Sequence, residues 1–128
     1  MALKGKKKFK NKNIFESIKY GFIGIIYAFK EERNIKLGAL LAFIIIVLGF
    51  IFGLSNIEWC ICLLSSGLVI SFEMVNTAIE KAIDIAMPNV HPLAKIAKDV
   101  SAGAVVFLIL ISIVNACLIL VPKIIEMM

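Results

Sequence analysis

The sequence predicts an all-α integral membrane protein, an N-terminal amphipathic surface helix followed by three transmembrane helices. Three observations carry that prediction. Hydrophobic residues fill 61% of the 128 positions, against about 45–50% in a soluble domain. Residues 37–54, 59–72 and 100–121 contain no charged side chain, and a bilayer core is crossed by about 20 helical residues. Ten of the 14 Lys and Arg side chains precede the first of these runs, and the link at residues 55–58 holds none. Counting positive charges inside therefore puts the N-terminus and the second link in the cytoplasm, and the first link and the C-terminus outside.

Residues 1–13 form a basic tail, rich in Lys and poor in apolar side chains. Its expected partner is anionic membrane lipid, not nucleic acid. Residues 14–128 are expected to form a single membrane domain. Within it, Ile14, Phe15, Ile18, Phe22, Ile25, Ile26 and Phe29 recur with the offsets of one helix face. That pattern predicts a helix over about 14–31 lying in the plane of the membrane. Tyr20 and Tyr27 fall off this stripe, where a hydroxyl reaches water or a ligand. A charged boundary at 31–36 leads into the first span, at about 35–54, in which Gly38, Ala39 and Ala42 suit close helix approach.

Trp59 beside Glu58 reads as an outer-interface anchor for a second span at about 57–84. Pro88 and Pro92 bracket a turn around His91, the sole histidine. A histidine there is more often structural than ligating, and its role stays open. The third span, at about 98–121, opens with the small residues 101–104. Cys60, Cys62 and Cys117 lie in apolar runs and read as packing residues. Cys60 and Cys62, two apart on a helix, point to roughly opposite faces and suit neither a disulfide nor a shared metal. No signal peptide is expected.

The chemistry-bearing stretch is at the end of the second span. At about 100° per residue, Glu73, Asn76, Glu80 and Asp84 fall on one helix face. An acid at mid-membrane costs on the order of 2.5 to 3.5 kcal/mol, so this stripe calls for cations, boundary water or partners. Counting inward from Trp59 puts Glu73 just inside the hydrocarbon and Glu80 and Asp84 at the cytoplasmic headgroups, level with Glu32. There a lipid head and a water-soluble nucleotide can meet. Phosphoryl transfer needs acids to hold Mg²⁺, a base near the acceptor hydroxyl, and cations against phosphate charge. Glu80 and Glu32 are candidate Mg²⁺ ligands, Glu73 the candidate base, and Lys95 and Lys98 bring cations to the same level. Neither a P-loop nor a protein-kinase motif set occurs.

The run 73–80, Glu-Met-Val-Asn-Thr-Ala-Ile-Glu, with Asp84 after it, resembles the signature of the small bacterial integral-membrane diacylglycerol kinase and undecaprenol kinase family. So does the run 91–99, His-Pro-Leu-Ala-Lys-Ile-Ala-Lys-Asp, with Gly103, Ala104 and Val105 after it. The resemblance extends from about residue 15 to 121. It implies a surface helix plus three transmembrane helices, assembled as a homotrimer with sites between protomers. By position, Glu73 is similar to the family's catalytic base, Glu32 and Glu80 to its metal-binding glutamates, and Asn76 to a polar active-site residue. Lys98 and Asp99 match the pair contacting nucleotide phosphate, and Tyr20 matches a nucleotide-contacting tyrosine; Glu32 and Glu80 would border the nucleotide as well.

The runs at 32–34, 58–59 and 91–95 look more like the Gram-positive undecaprenol kinase branch. That implies undecaprenol as acceptor and ATP as donor at the bacterial inner membrane, with diacylglycerol as the alternative acceptor. Asn13 and Asn89 depart from an arginine and a glutamate of the diacylglycerol branch, and those two contacts do not carry over. A rival of another class is a small transporter or proton-relay subunit, since intramembrane acids also mark ion paths. The acids here gather at one boundary instead of spanning the bilayer. A structural subunit, its acids merely paired with Lys81, Lys95 and Lys98, is a further rival. Three thin helices offer little interior for Glu73 and Asn76, so an oligomer is expected.

Overall fold

The computed structural model describes residues 13–128; the basic tail of the sequence reading lies outside them, apart from Asn13. Four helices follow in order: α1 Ile14–Glu31, α2 Arg33–Phe52, α3 Asn56–Ala86 and α4 Pro92–Met127. The chain divides into two units, the first ending at Glu32 and the second running Arg33–Met128. By length and composition, α2, α3 and α4 are each long and apolar enough to cross a membrane.

In the first unit, Asn13 is the N-cap of α1. Its Oδ1 accepts from the Glu16 amide at 2.9 Å, satisfying one of the donors that a helix start leaves over. Glu16 in the first turn and Lys30 in the last complement the helix dipole. The helix ends where the Glu32 amide donates to the Ala28 carbonyl.

In the second unit, α2, α3 and α4 run up and down, with α3 packed mainly on α4 and next on α2. Three cross-links set one antiparallel register between α3 and α4. Asp84 pairs with Lys98 at one end. Between the ends, nearer the second, Asn115 Nδ2 donates to Ser65 Oγ at 3.1 Å, and the Ser112 hydroxyl lies 3.5 Å from the Ser65 carbonyl. Glu58 pairs with Lys123 at 3.1 Å at the other end. At 1.5 Å per residue the two charge pairs are about 39 Å apart along α3, enough for a hydrocarbon core and part of both headgroup zones.

The turn between α2 and α3 is held by local chemistry. Gly53, at φ 69°, takes the left-handed conformation that ends α2, and the Leu54 amide returns to the Gly49 carbonyl at 3.1 Å, a glycine C-cap closure. Ser55 and Glu58 then form a reciprocal capping box that starts α3, the pattern expected of S-x-x-E. The small core beside this turn consists of Leu54, Cys62 and Ile119, with Ile45, Trp59 and Leu120 packed on it. Cys62 is thus a packing residue, whereas Cys60 and Cys117 are exposed.

Trp59 also packs within the bundle. Its ring lies 5.0 Å from that of Phe50, centroid to centroid, and over Gly49, where an added Cβ would come within 2.5 Å of it. At Gly38 an added Cβ would lie 3.5 Å from Ile70, a looser approach, and at Gly103 it would meet nothing within 4 Å among the described residues. Gly49→Ala should therefore cost about 1–3 kcal/mol by overpacking. Thermal unfolding in detergent should show a lowered midpoint for Gly49→Ala.

α4 runs beyond its apolar stretch at both ends. At the start, His91 is the N-cap, its Nδ1 accepting from the Leu93 amide at 3.1 Å, and Pro92 is the first helical residue, where a missing N–H costs nothing. At the far end the helix passes through Pro122, and the Lys123–Glu58 pair holds the turn that follows.

Candidate functional site

The acid-bearing face of α3 is positioned by the packing of that helix on α4 and α2. Glu73 and Glu80 are half-buried, Asn76 is buried and Asp84 is exposed. Along the axis Glu73 lies about 16 Å from Asp84 and about 22 Å from Glu58. Asn76, only 8% exposed, is the buried polar residue of the bundle among the described residues. Its Oδ1 has no hydrogen-bond partner. A buried acceptor left unpaired costs about 1–3 kcal/mol, so an amide there, one turn from Glu73 and one from Glu80, is poor for stability alone.

Toward the middle of the bundle this face leads into an apolar groove of about 220 Å³ between α2, α3 and α4, walled by Gly38, Ala42, Ile45, Val69 and Ile109 among others. Val69 precedes Glu73 by one turn on the same side of α3. Toward the other end, a more polar cavity of about 260 Å³ is lined by Asp84 from α3, the loop residues Pro88 and Asn89, the cap residue His91, and Lys95 and Lys98 of α4, with Ile83, Met87, Val90 and Ala94 between them. One stripe of α3 therefore connects an apolar groove, a half-buried carboxylate, a buried amide and a cation-lined cavity.

The residues singled out from the sequence are distributed unevenly over this arrangement. Glu73, Asn76 and Glu80 share the α3 stripe, and Lys98 lines the polar cavity. Asp99 does not line it; its carboxylate is bonded at 2.6 Å to Lys95, which does. Tyr20, exposed with the Lys19 ammonium 5.8 Å from its ring centre, and Glu32 both belong to the first unit. Among the described residues, no group of three or more His, Cys, Asp or Glu side chains is arranged to hold a metal.

Three features of this part of the bundle were not specified by the sequence. The pairing of Asp84 with Lys98 joins residues of two helices that only the chain reversal brings together. The cap made by His91 was signalled by its place just before Pro92, and gives the histidine a structural duty. The Ser65–Ser112–Asn115 cluster sits within spans read as uniformly apolar; an asparagine facing serines across two membrane helices was its signal.

Residues 19–120 match the family described as prokaryotic diacylglycerol kinase. The chain is 41% identical over 109 residues to an undecaprenol kinase of Bacillus subtilis (strain 168), covering 85% of this chain and 89% of that one. It is 36% identical over 112 residues to a diacylglycerol kinase of Synechocystis, covering 86% of this chain and 64% of the relative. To a diacylglycerol kinase of Helicobacter pylori (strain J99) it is 34% identical over 93 residues, or 73% of each chain. With the matched region taking in most of α1 and nearly all of the three apolar helices, the chain belongs to the prokaryotic diacylglycerol kinase family.

Proposed function

We propose that the chain is a lipid kinase that transfers the γ-phosphate of ATP to a membrane-embedded alcohol, undecaprenol in preference to diacylglycerol. The observation that carries this reading is the buried, unpartnered Oδ1 of Asn76 between Glu73 and Glu80, in a chain 41% identical to an undecaprenol kinase. Diacylglycerol stays the second reading because the relatives at 36% and 34% identity are named diacylglycerol kinases.

The acceptor's tail lies along apolar surface such as the groove walled by Val69, which leads its hydroxyl to Glu73. On docking, that hydroxyl supplies the donor that Asn76 Oδ1 lacks; for transfer its single proton turns to Glu73, one turn away on the same face. Glu73 takes the proton as the alcohol oxygen attacks the γ-phosphorus, and ADP leaves. Lys98 opposes phosphate charge from the polar cavity, with Asp99 beside it on α4 and Tyr20 from α1 against the nucleotide. Glu80 and Glu32 are the carboxylates proposed for Mg²⁺. Carboxylates suit this ion, which is commonly held by one or two of them together with substrate phosphates. When bound, Mg²⁺ neutralises charge on the transferring phosphate.

In this account α1 lies at the membrane surface, residues 1–13 touch anionic lipid, and the N-terminus and the 87–91 loop face the cytoplasm. Copies of the chain assemble as a homotrimer that shelters the α3 stripe. The multi-pass protein then resides in the bacterial inner membrane. The open surface at Gly103 supports assembly. The hydrogen bonds within the Ser65–Ser112–Asn115 cluster support a helix clasp there and give no support to an ion path.

Acceptor identity is tested with purified protein, Mg·ATP, and undecaprenol or diacylglycerol in matched micelles. Undecaprenyl phosphate as the faster product is expected; phosphatidic acid formed faster would transfer the assignment to the second reading, and neither product would refute the kinase. Glu80→Gln should raise the Mg²⁺ concentration for half-maximal rate on the order of tenfold, the effect of about 1.4 kcal/mol. An unchanged Mg²⁺ titration would remove Glu80 from the metal site.

A further inference from the structure

We infer that Asp84 is a positioning residue for the nucleotide, acting through Lys98. The inference rests on the assignment of Lys98 to nucleotide phosphate and adds a residue to which no role has been given. Asp84 and Lys98 both line the polar cavity, and the Lys98 ammonium donates to Asp84 Oδ1 across the gap between α3 and α4. The pair is largely exposed, with side chains 64% and 36% accessible, and exposed pairs contribute about 0–1 kcal/mol to stability. Holding the helices together is thus a small part of what it does. Its larger effect is geometric.

A free lysine carries about 2 kcal/mol of rotamer entropy. Tethered to Asp84, the ammonium keeps one of its three N–H donors on the carboxylate and offers the others to the cavity. The cavity also contains Lys95, itself tied to Asp99 at 2.6 Å, so both ammonium groups are anchored by carboxylates before any phosphate arrives. His91 does not compete for the same anion through Nδ1, which is engaged in capping α4. A triphosphate entering the cavity meets cations already in place and spends less of its binding free energy on ordering them. The carboxylate does not touch the reacting atoms, so its removal should weaken nucleotide binding more than it slows transfer.

The test is a double-mutant cycle on the full chain in undecaprenol-containing micelles, reading kcat and the KM for Mg·ATP separately. Asp84→Asn is expected to raise KM about fivefold, the effect of roughly 1 kcal/mol, with kcat and the unfolding midpoint little changed. Asp84→Glu, which keeps the charge, should recover most of the loss. In a Lys98→Gln background, Asp84→Asn should have almost no further effect. If the two substitutions act additively, or if Asp84→Asn leaves KM unchanged while Lys98→Gln raises it, the positioning role is wrong and the nucleotide assignment survives. If Lys98→Gln itself leaves KM unchanged, the assignment of Lys98 fails and the role of Asp84 fails with it.

Discussion

Glu73→Gln should lower turnover by about 10²- to 10⁴-fold, the range of a positioned general base, while Mg·ATP binds with little change. The expectation follows from position. Glu73 is the acid of the α3 stripe farthest from Asp84, about 16 Å along the axis, and is half-buried one turn beyond the apolar groove. A lipid hydroxyl reaches that level, whereas the cation-lined cavity is nearer the other end of the stripe. Glutamine keeps the volume and the hydrogen-bonding shape but cannot accept the proton. Turnover measured beside equilibrium nucleotide binding separates the two roles. Full turnover would remove Glu73 as the base, and a parallel loss of nucleotide affinity would move it to the nucleotide site.

Asn76→Leu should separate stability from activity. Leucine of similar size replaces a buried amide whose Oδ1 lacks a partner, so the unfolding free energy should rise by up to about 1–3 kcal/mol. Activity should fall by about 10- to 100-fold, because the acceptor hydroxyl loses the group that orients it. Thermal unfolding and initial rates on one preparation check both halves. A variant that is destabilised yet fully active would make Asn76 a structural residue bonded across protomers, and the argument for a polar acceptor site at this position would go.

Much of this architecture was legible because lipid imposes a simple code. A run without charge such as 37–54 has few folded forms available except a spanning helix, and α2, α3 and α4 occupy the three runs. The acid stripe was legible for the same reason, since four polar groups on one face of an apolar helix stand out by contrast. What escaped depended on pairing between distant segments or on chemistry at helix ends. Lys98 finds Asp84 only after the chain reverses at 87–91, and Lys123 finds Glu58 only because α4 continues past Pro122.

Helix ends were blurred for a related reason. An apolar count stops at the last hydrophobic residue, whereas a helix stops at its cap. Ser55 and Glu58 spelled a capping box openly, yet they lay in what read as a plain link. Trp59 shows a further limit. Its place beside Glu58 suggested an interfacial anchor, but its stacking over Gly49 needs the α2–α3 crossing, which no count along one segment contains.

A cytosolic nucleotide and a lipid hydroxyl can meet at α3 only if its acids lie toward the cytosolic side of the bilayer. Spin labels placed singly at positions 73 and 80, in a chain whose three cysteines have been replaced, report depth through their accessibility to oxygen and to a water-soluble relaxation agent, and asymmetric quenching reports the leaflet. The expected result is a label at 80 near the cytosolic headgroups and a label at 73 deeper in the hydrocarbon of the same leaflet. Either label in the outer leaflet would contradict the account, because ATP supplied from the cytosol could not then meet the lipid hydroxyl at Glu73.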